Sequence, residues 1–177
     1  MIMSVDELKL RVDTGDMDDS TISQTLKSIE DVIRTYCNNN FQNRNVRFVA
    51  RSEGGILNNA SEYIRIGDTI QITQSEVNDG LYTVVDVRGG YTSLDTELFD
   101  VPFNRVTKVE YPSGVLDVAV SLFKWKQEFG MKIGIKSESE TLSRHSQSVT
   151  YEDSSSLVMG FPQGILSGLA LWEKARC

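Results

Sequence analysis

Covalent chemistry in this 177-residue chain would have to start from very few side chains: one histidine, His145, and two cysteines, Cys37 and Cys177. A Cys or Ser nucleophile needs a base within hydrogen-bonding reach. His145 sits in Ser143-Arg144-His145-Ser146, a polar setting in which an imidazole is ordinarily just a loop side chain. No Gly-x-Ser-x-Gly elbow accompanies it. The sequence therefore assigns no catalytic residue, and free thiols in a reducing compartment are the expectation for the cysteines.

Metal and phosphate chemistry fare no better. Asp13, Asp16, Asp18 and Asp19 gather the hard oxygens that calcium prefers, but the spacing is wrong. A calcium loop begun at Asp16 puts Thr21 where glycine is required and Lys27 where the bidentate glutamate belongs. Capping of a following helix explains these acids instead. Gly54-Gly55 and Gly89-Gly90 lack a Walker lysine and a βαβ setting, so they read as hairpin turns. Arg88-Gly89-Gly90 stands alone, whereas RNA-binding use of that triplet depends on repetition. Neither metal nor cofactor is expected. Asn59-Ala60-Ser61 matches a glycosylation sequon, yet the start Met1-Ile2-Met3-Ser4 lacks the basic region of a secretory signal.

Composition narrows the classes further. With 40% hydrophobic and 24% charged residues the chain has the make-up of a globular protein. Apolar runs such as Val118-Ala119-Val120 fall far short of the ~18 residues that a membrane span needs. A cytosolic or cytosol-assembled protein is expected. The net charge of −7 removes the broad basic footprint of sequence-independent DNA binding. Residues 61–101 carry Glu62, Asp68, Glu76, Asp79, Asp86, Asp95, Glu97 and Asp100 against only Arg65 and Arg88, so this stretch forms an acidic unit of its own.

The elements follow from periodicity. Ser4 and Glu7 form a capping-box pattern that starts a helix over residues 5–12. Asp18, Asp19 and Ser20 cap a second helix whose stripe is Ile22, Leu26, Ile29, Ile33 and Tyr36, with Lys27, Glu30, Asp31 and Arg34 toward solvent and Asn38-Asn39-Asn40 as the stop. The period then becomes two: Val46-Arg47-Phe48-Val49, Tyr63-Ile64-Arg65-Ile66, Ile70-Gln71-Ile72-Thr73 and the run from Leu81 to Val87 read as strands separated by turn formers, Asn78-Asp79-Gly80 among them. Pro112-Ser113 opens a broad-striped helix closed by Gly130. Residues 136–156 are rich in Ser and Thr and read as a mobile loop, with strand character at Ser148-Val149-Thr150-Tyr151. Phe161-Pro162 starts a last helix through Trp172. The fold class expected is α+β, a small helical bundle over residues 1–45 and 102–177 interrupted by an antiparallel β barrel or curled sheet over 46–101. The last helix holds more apolar surface than one core-facing stripe needs, which leaves partner contact and internal packing both open.

Taken in order, these segments resemble the head-tail connector, or adaptor, proteins of tailed bacteriophages, which form a ring beneath the portal. The resemblance rests on the N-terminal capped helix pair and on the core helix introduced by Val109-Glu110-Tyr111-Pro112. It also rests on Ser148-Val149-Thr150-Tyr151 ahead of Gly160-Phe161-Pro162, and it covers residues 4–37 and 105–172. Compact members of the family join the second helix to the core helix by a shorter connection, so the β unit is a departure. The resemblance implies a non-enzymatic structural protein of the virion neck, assembled in the bacterial host cytoplasm as a homo-oligomeric ring of roughly a dozen copies. DNA would pass through the lumen without specific binding, and the acidic chain would not retard it. By position it implies portal contact for Phe161, Pro162, Ile165, Leu166, Leu169 and Trp172, and ring or portal contact for Arg144, His145, Val149 and Tyr151. The opposite face would receive a stopper or tail-completion protein. Two other readings stay open: a tail-completion or terminator protein, and a soluble β-barrel module binding peptide or glycan.

Overall fold

The computed structural model describes residues 1–130, 137–142, 145–150 and 157–175, and between 137 and 150 the backbone alone. The fold is α+β and contains a closed barrel of six antiparallel strands. The chain divides into two compact units, Met1–Glu7 with Asn40–Pro112, and Leu8–Asn39 with Ser113–Cys177.

The first unit is the barrel. Its strands are β1 (Gln42–Glu53), β2 (Ile56–Leu57), β3 (Thr69–Thr73), β4 (Gly80–Arg88), β5 (Tyr91–Leu94) and β6 (Val101–Val109), in the order β1-β2-β5-β4-β3-β6. β6 pairs with β1 on one side and β3 on the other, which closes the sheet and leaves no edge strand. Alternation places Ala50, Leu57, Ile70, Ile72, Val84, Leu94 and Val106 inside, with Ile64 and Leu98 added from loops.

Two expectations change here. Tyr63–Ile66 is not a strand: Ile64 is buried in the barrel core, but Tyr63 and Ile66 are exposed, and Arg65 N–H donates to Asp68 Oδ2 in a turn. Lys108 holds that loop through an ion pair with Asp68 (2.8 Å) and a hydrogen bond to the Tyr63 carbonyl (3.1 Å). The strands also run past residues 46–101 at both ends, since β1 begins at Gln42 and β6 ends at Val109. Pro102 disguises β6 in the sequence. It is tolerated because the β1–β6 register shifts between Ala50↔Asn104 and Ser52↔Val101, a bulge that removes the need for its missing N–H.

The two chain segments leaving the barrel are tied together inside this unit. Glu110 N–H donates to the Phe41 carbonyl (3.0 Å), Asn43 Nδ2 donates to Glu110 Oε2 (2.8 Å), and the rings of Phe41 and Tyr111 lie 5.0 Å apart. The first residues join the same unit: Thr69 Oγ1 receives the Met1 amine (2.6 Å) and donates to the Met1 carbonyl (2.8 Å), while Ile2 and Met3 are buried.

The second unit is helical. A short helix, α1 (Val5–Lys9), ends three residues before the Val12 that its periodicity suggests, and the turn after it is kept by the Arg11 and Val12 amides, which both donate to the Leu8 carbonyl. Helix α2 (Asp19–Cys37) is capped by Asp18, whose carboxylate accepts from the Thr21 amide and hydroxyl. Those bonds, the hydroxyl's first, hold the Asp18 carboxyl below its ordinary pKa, so the cap contributes at neutral pH and fades as acid protonates it. Glu30, expected toward solvent, is only 4% exposed, since it shares a turn with the buried Ile29 and Ile33. Helix α3 (Ser113–Phe129) buries Val115, Ala119, Leu122 and Phe123 and packs against α2.

After α3 comes a hairpin where composition suggested a mobile loop. β7 (Ser137–Leu142) and β8 (His145–Thr150) pair in register from Ser137↔Thr150 to Leu142↔His145. The expected last helix is broken into a small strand pair, β9 (Leu157–Val158) and β10 (Phe161–Pro162), then α4 (Gln163–Leu166) and a 3-10 turn, Ser167–Trp172.

Close approach within this unit depends on glycine. A Cβ built on Gly114 would lie 2.5 Å from the Trp172 ring, and one on Gly168 would lie 3.0 Å from Val118. Gly114→Ala is therefore expected to displace the indole, lowering stability by about 1–3 kcal/mol despite alanine's better helix propensity. Urea unfolding monitored by tryptophan emission should show an earlier midpoint and a red-shifted native spectrum.

Candidate functional site

The residues implied as portal contacts lie mostly inside the helical unit. Phe161, Pro162, Leu166 and Leu169 are buried, and Ile165 and Trp172 are half-buried. Phe161 packs tilted against Trp125, with ring centroids 5.5 Å apart, and Trp172 sits over Gly114. The tail of the segment is fastened to the end of α2. Lys174 N–H donates to the Cys37 carbonyl (2.8 Å), Asn39 Nδ2 to the Trp172 carbonyl (3.1 Å) and Asn38 Nδ2 to the Ala175 carbonyl (3.1 Å). What stays outside is Leu171, 88% exposed, with Met159 partly so. The sequence named the segment but not the residue, because a mixed α and 3-10 path rotates Leu171 away from the face that carries Leu166 and Leu169.

Of the second group, His145 and Val149 lie on β8, opposite Leu142 and Glu138. Arg144 and Tyr151 fall outside the described residues. Cys37 is fully buried at the end of α2, and burial, followed by the charge of Glu173, pushes its thiol up to about 11. Among the described residues no group of three His, Cys, Asp or Glu side chains is placed to hold a metal ion, and no helix is long and apolar enough to cross a membrane.

The most organised polar arrangement is in the barrel, at the end where the β1–β2, β3–β4 and β5–β6 connections meet. Its hub is Ser52 on β1, Asn78 in the 74–79 loop and Asn104 on β6, all at most 4% exposed. Asn78 Nδ2 donates to the Phe99 carbonyl (2.8 Å) and lies 3.2 Å from both Ser52 Oγ and Asn104 Oδ1. Its Oδ1 accepts from the Phe99 amide (2.9 Å). Ser52 Oγ donates to the same Phe99 carbonyl (2.6 Å) and accepts from Val101 N–H (3.1 Å), and Asn104 Nδ2 donates to the Ala50 carbonyl (3.2 Å). Tyr82 OH closes the set on the Asn78 carbonyl (3.0 Å). Every buried polar side chain among the described residues has a partner, as a stable network in low dielectric requires.

The network fixes backbone and leaves side chains out. Phe99, held at its amide and carbonyl, keeps its ring 70% exposed; Val77, next to Asn78, is 59% exposed. Beside them Arg51, Ser52, Glu53, Asp100, Val101 and Pro102 line an open groove of about 330 Å³. The 74–79 and 95–100 loops contribute Glu76, Asp79, Asp95, Glu97 and Asp100 and no Lys or Arg. The Tyr82 phenol registers that field: its pKa is raised by burial and then by Asp95 and Asp79. The sequence signalled the acids and read Asn78 as a turn former. Nothing in its pattern marked Asn104 or Phe99, whose roles depend on loops brought together by barrel closure.

Asn78→Ala should strand the Phe99 amide and weaken both asparagine and serine partners, costing about 2–3 kcal/mol of stability, with hydrogen exchange at residues 95–101 rising first. For Cys37, the neutral thiol is the form the fold favours. Its contribution is whole below 9.0 and is lost as pH climbs toward about 11. In a Cys177→Ser background, a thiol reagent at pH 8 is expected to modify Cys37 only after unfolding. Comparison of the chain with protein-family models and with curated proteins gave no match.

Proposed function

We propose that this protein is a structural adaptor of a phage neck, assembling as a ring between the portal and a stopper or tail-completion protein and passing DNA through its lumen. In this reading the helices of Leu8–Asn39 and Ser113–Cys177 form a small connector bundle, and the β unit is an insertion in it. The chemistry it performs is association, with no bond made or broken in any ligand.

The observation that carries the reading is the exposure of large apolar side chains on a chain otherwise well packed. Leu171 and Leu10 are each 88% exposed in the helical unit, where burial against another subunit would contribute up to about 2 kcal/mol each. A second support is the β7–β8 hairpin. Among the described residues these two strands pair only with each other, so each offers an outer edge of backbone donors and acceptors. An isolated two-stranded hairpin is marginal in water and gains most from a neighbouring surface. The net charge of −7 suits a lumen that must release DNA.

The experiment is retention by purified portal protein compared with purified tail tubes, with light scattering of the eluted complex. Portal retention in a ring-sized complex is expected. Leu171→Asp should weaken it roughly tenfold while leaving the unfolding midpoint unchanged, because Leu171 has no core to disrupt. Retention by tail tubes and not by portal would instead favour a tail-completion protein and sink the adaptor reading.

A further inference from the structure

We propose that the loop end of the barrel is a docking surface for a basic segment of another protein, anchored on the exposed Phe99 ring and rimmed by the carboxylates of the surrounding loops. The inference stands apart from the adaptor reading, which leaves the barrel without an assigned partner.

Three features of the same surface converge. First, the backbone that carries the exposed Phe99 ring is held on both sides of the peptide. Its amide donates to Asn78 Oδ1 (2.9 Å), and its carbonyl accepts from Asn78 Nδ2 (2.8 Å) and Ser52 Oγ (2.6 Å). A loop whose backbone is fixed before binding loses little chain entropy on contact, which suits the exposed aromatic it carries to an anchoring role. Second, other apolar side chains of the barrel are exposed: Val77 at 59%, next to the Asn78 that grips Phe99, and Phe103 on β6 at 40%. Third, the rim is of one sign. Glu76, Asp79, Asp95, Glu97 and Asp100 lie on loops that hold no Lys or Arg, and Arg51, which lines the adjoining groove, is engaged with Glu53.

The carboxylates are also partly committed to shaping the surface. Asp79 accepts from the Ser75 amide (2.7 Å), Asp95 from the Thr83 amide (2.9 Å) and Asp100 from the Gly54 amide (2.8 Å). These three carboxylates are thus fixed on the loops, where like charges repel. A partner bringing Lys or Arg around an apolar side chain relieves that repulsion and covers the ring together. Nucleic acid is disfavoured by sign, and a second copy of this chain brings its own net charge of −7.

The test uses the full chain, labelled with 15N, titrated at physiological salt with an amphipathic Lys/Leu peptide, an oligolysine of equal charge and a Glu/Leu counterpart. The Lys/Leu peptide is expected to bind and to shift amides in 75–79 and 96–103; oligolysine should bind about tenfold more weakly, and the Glu/Leu peptide not at all. Phe99→Ser should weaken the Lys/Leu peptide about tenfold with an unchanged unfolding midpoint. A Glu76→Lys, Glu97→Lys double variant should do the same without touching the ring. Four outcomes overturn the proposal: no binding, equal binding of oligolysine, shifts mapping away from these loops, or undiminished binding by Phe99→Ser. Loss of self-association on Phe99→Ser would overturn it too, because the occupant would then be a second copy.

Discussion

Closure of the barrel on β6 is the constraint from which the rest of the first unit follows. A six-stranded sheet has two open rows of backbone donors and acceptors unless its last strand meets its first. Here β6 spans Val101–Val109 and hydrogen-bonds to both β1 and β3. Meeting both neighbours demands a shift of register near Ser52 and Asn104, and the shift admits a proline at position 102. It also brings three short side chains, Ser52, Asn78 and Asn104, to one buried point. A register change leaves backbone groups unmatched, and those three side chains supply the missing bonds: Ser52 serves Val101 N–H and the Phe99 carbonyl, and Asn104 serves the Ala50 carbonyl.

That repair has a consequence for the surface. The side chains that satisfy the closing strand also grip the 95–100 and 74–79 loops, which carry five carboxylates and two exposed apolar residues. Loops of that charge would repel one another if they were free to move. Hydrogen bonds from Gly54, Ser75 and Thr83 amides onto Asp100, Asp79 and Asp95 make a fixed acidic rim out of them. Structural and recognition roles are thus carried by one set of bonds, and weakening the hub should loosen both.

The helical unit solves a different problem with different means. Its C-terminal segment is too short to form a long helix against α3, and it reaches closely packed contact through glycine: Gly114 beneath Trp172 and Gly168 against Val118. Capping bonds from Asn38 and Asn39 then hold the tail carbonyls. The apolar surplus noticed in this segment is mostly consumed by that packing, with Leu171 left outside. Exposure, more than composition, therefore selects the residue through which this unit can meet a partner.

Periodicity alone was enough for α2, α3, β3 and β4, because each has a long or clean pattern and strong end signals such as Asp18, Asn38 and Pro112. The α+β class and the acidic character of the middle segment were equally readable from residue types. Two kinds of information were not. β6 hides behind a proline and an inward asparagine that break alternation, and Tyr63–Ile66 alternates without a partner strand to pair with. Whether an alternating segment becomes a strand is decided by the neighbour it meets, a long-range fact that local pattern does not contain. The same holds for Asn78, Asn104 and Phe99: their significance comes from residues 21 to 54 positions away, brought within hydrogen-bonding distance only when the barrel closes.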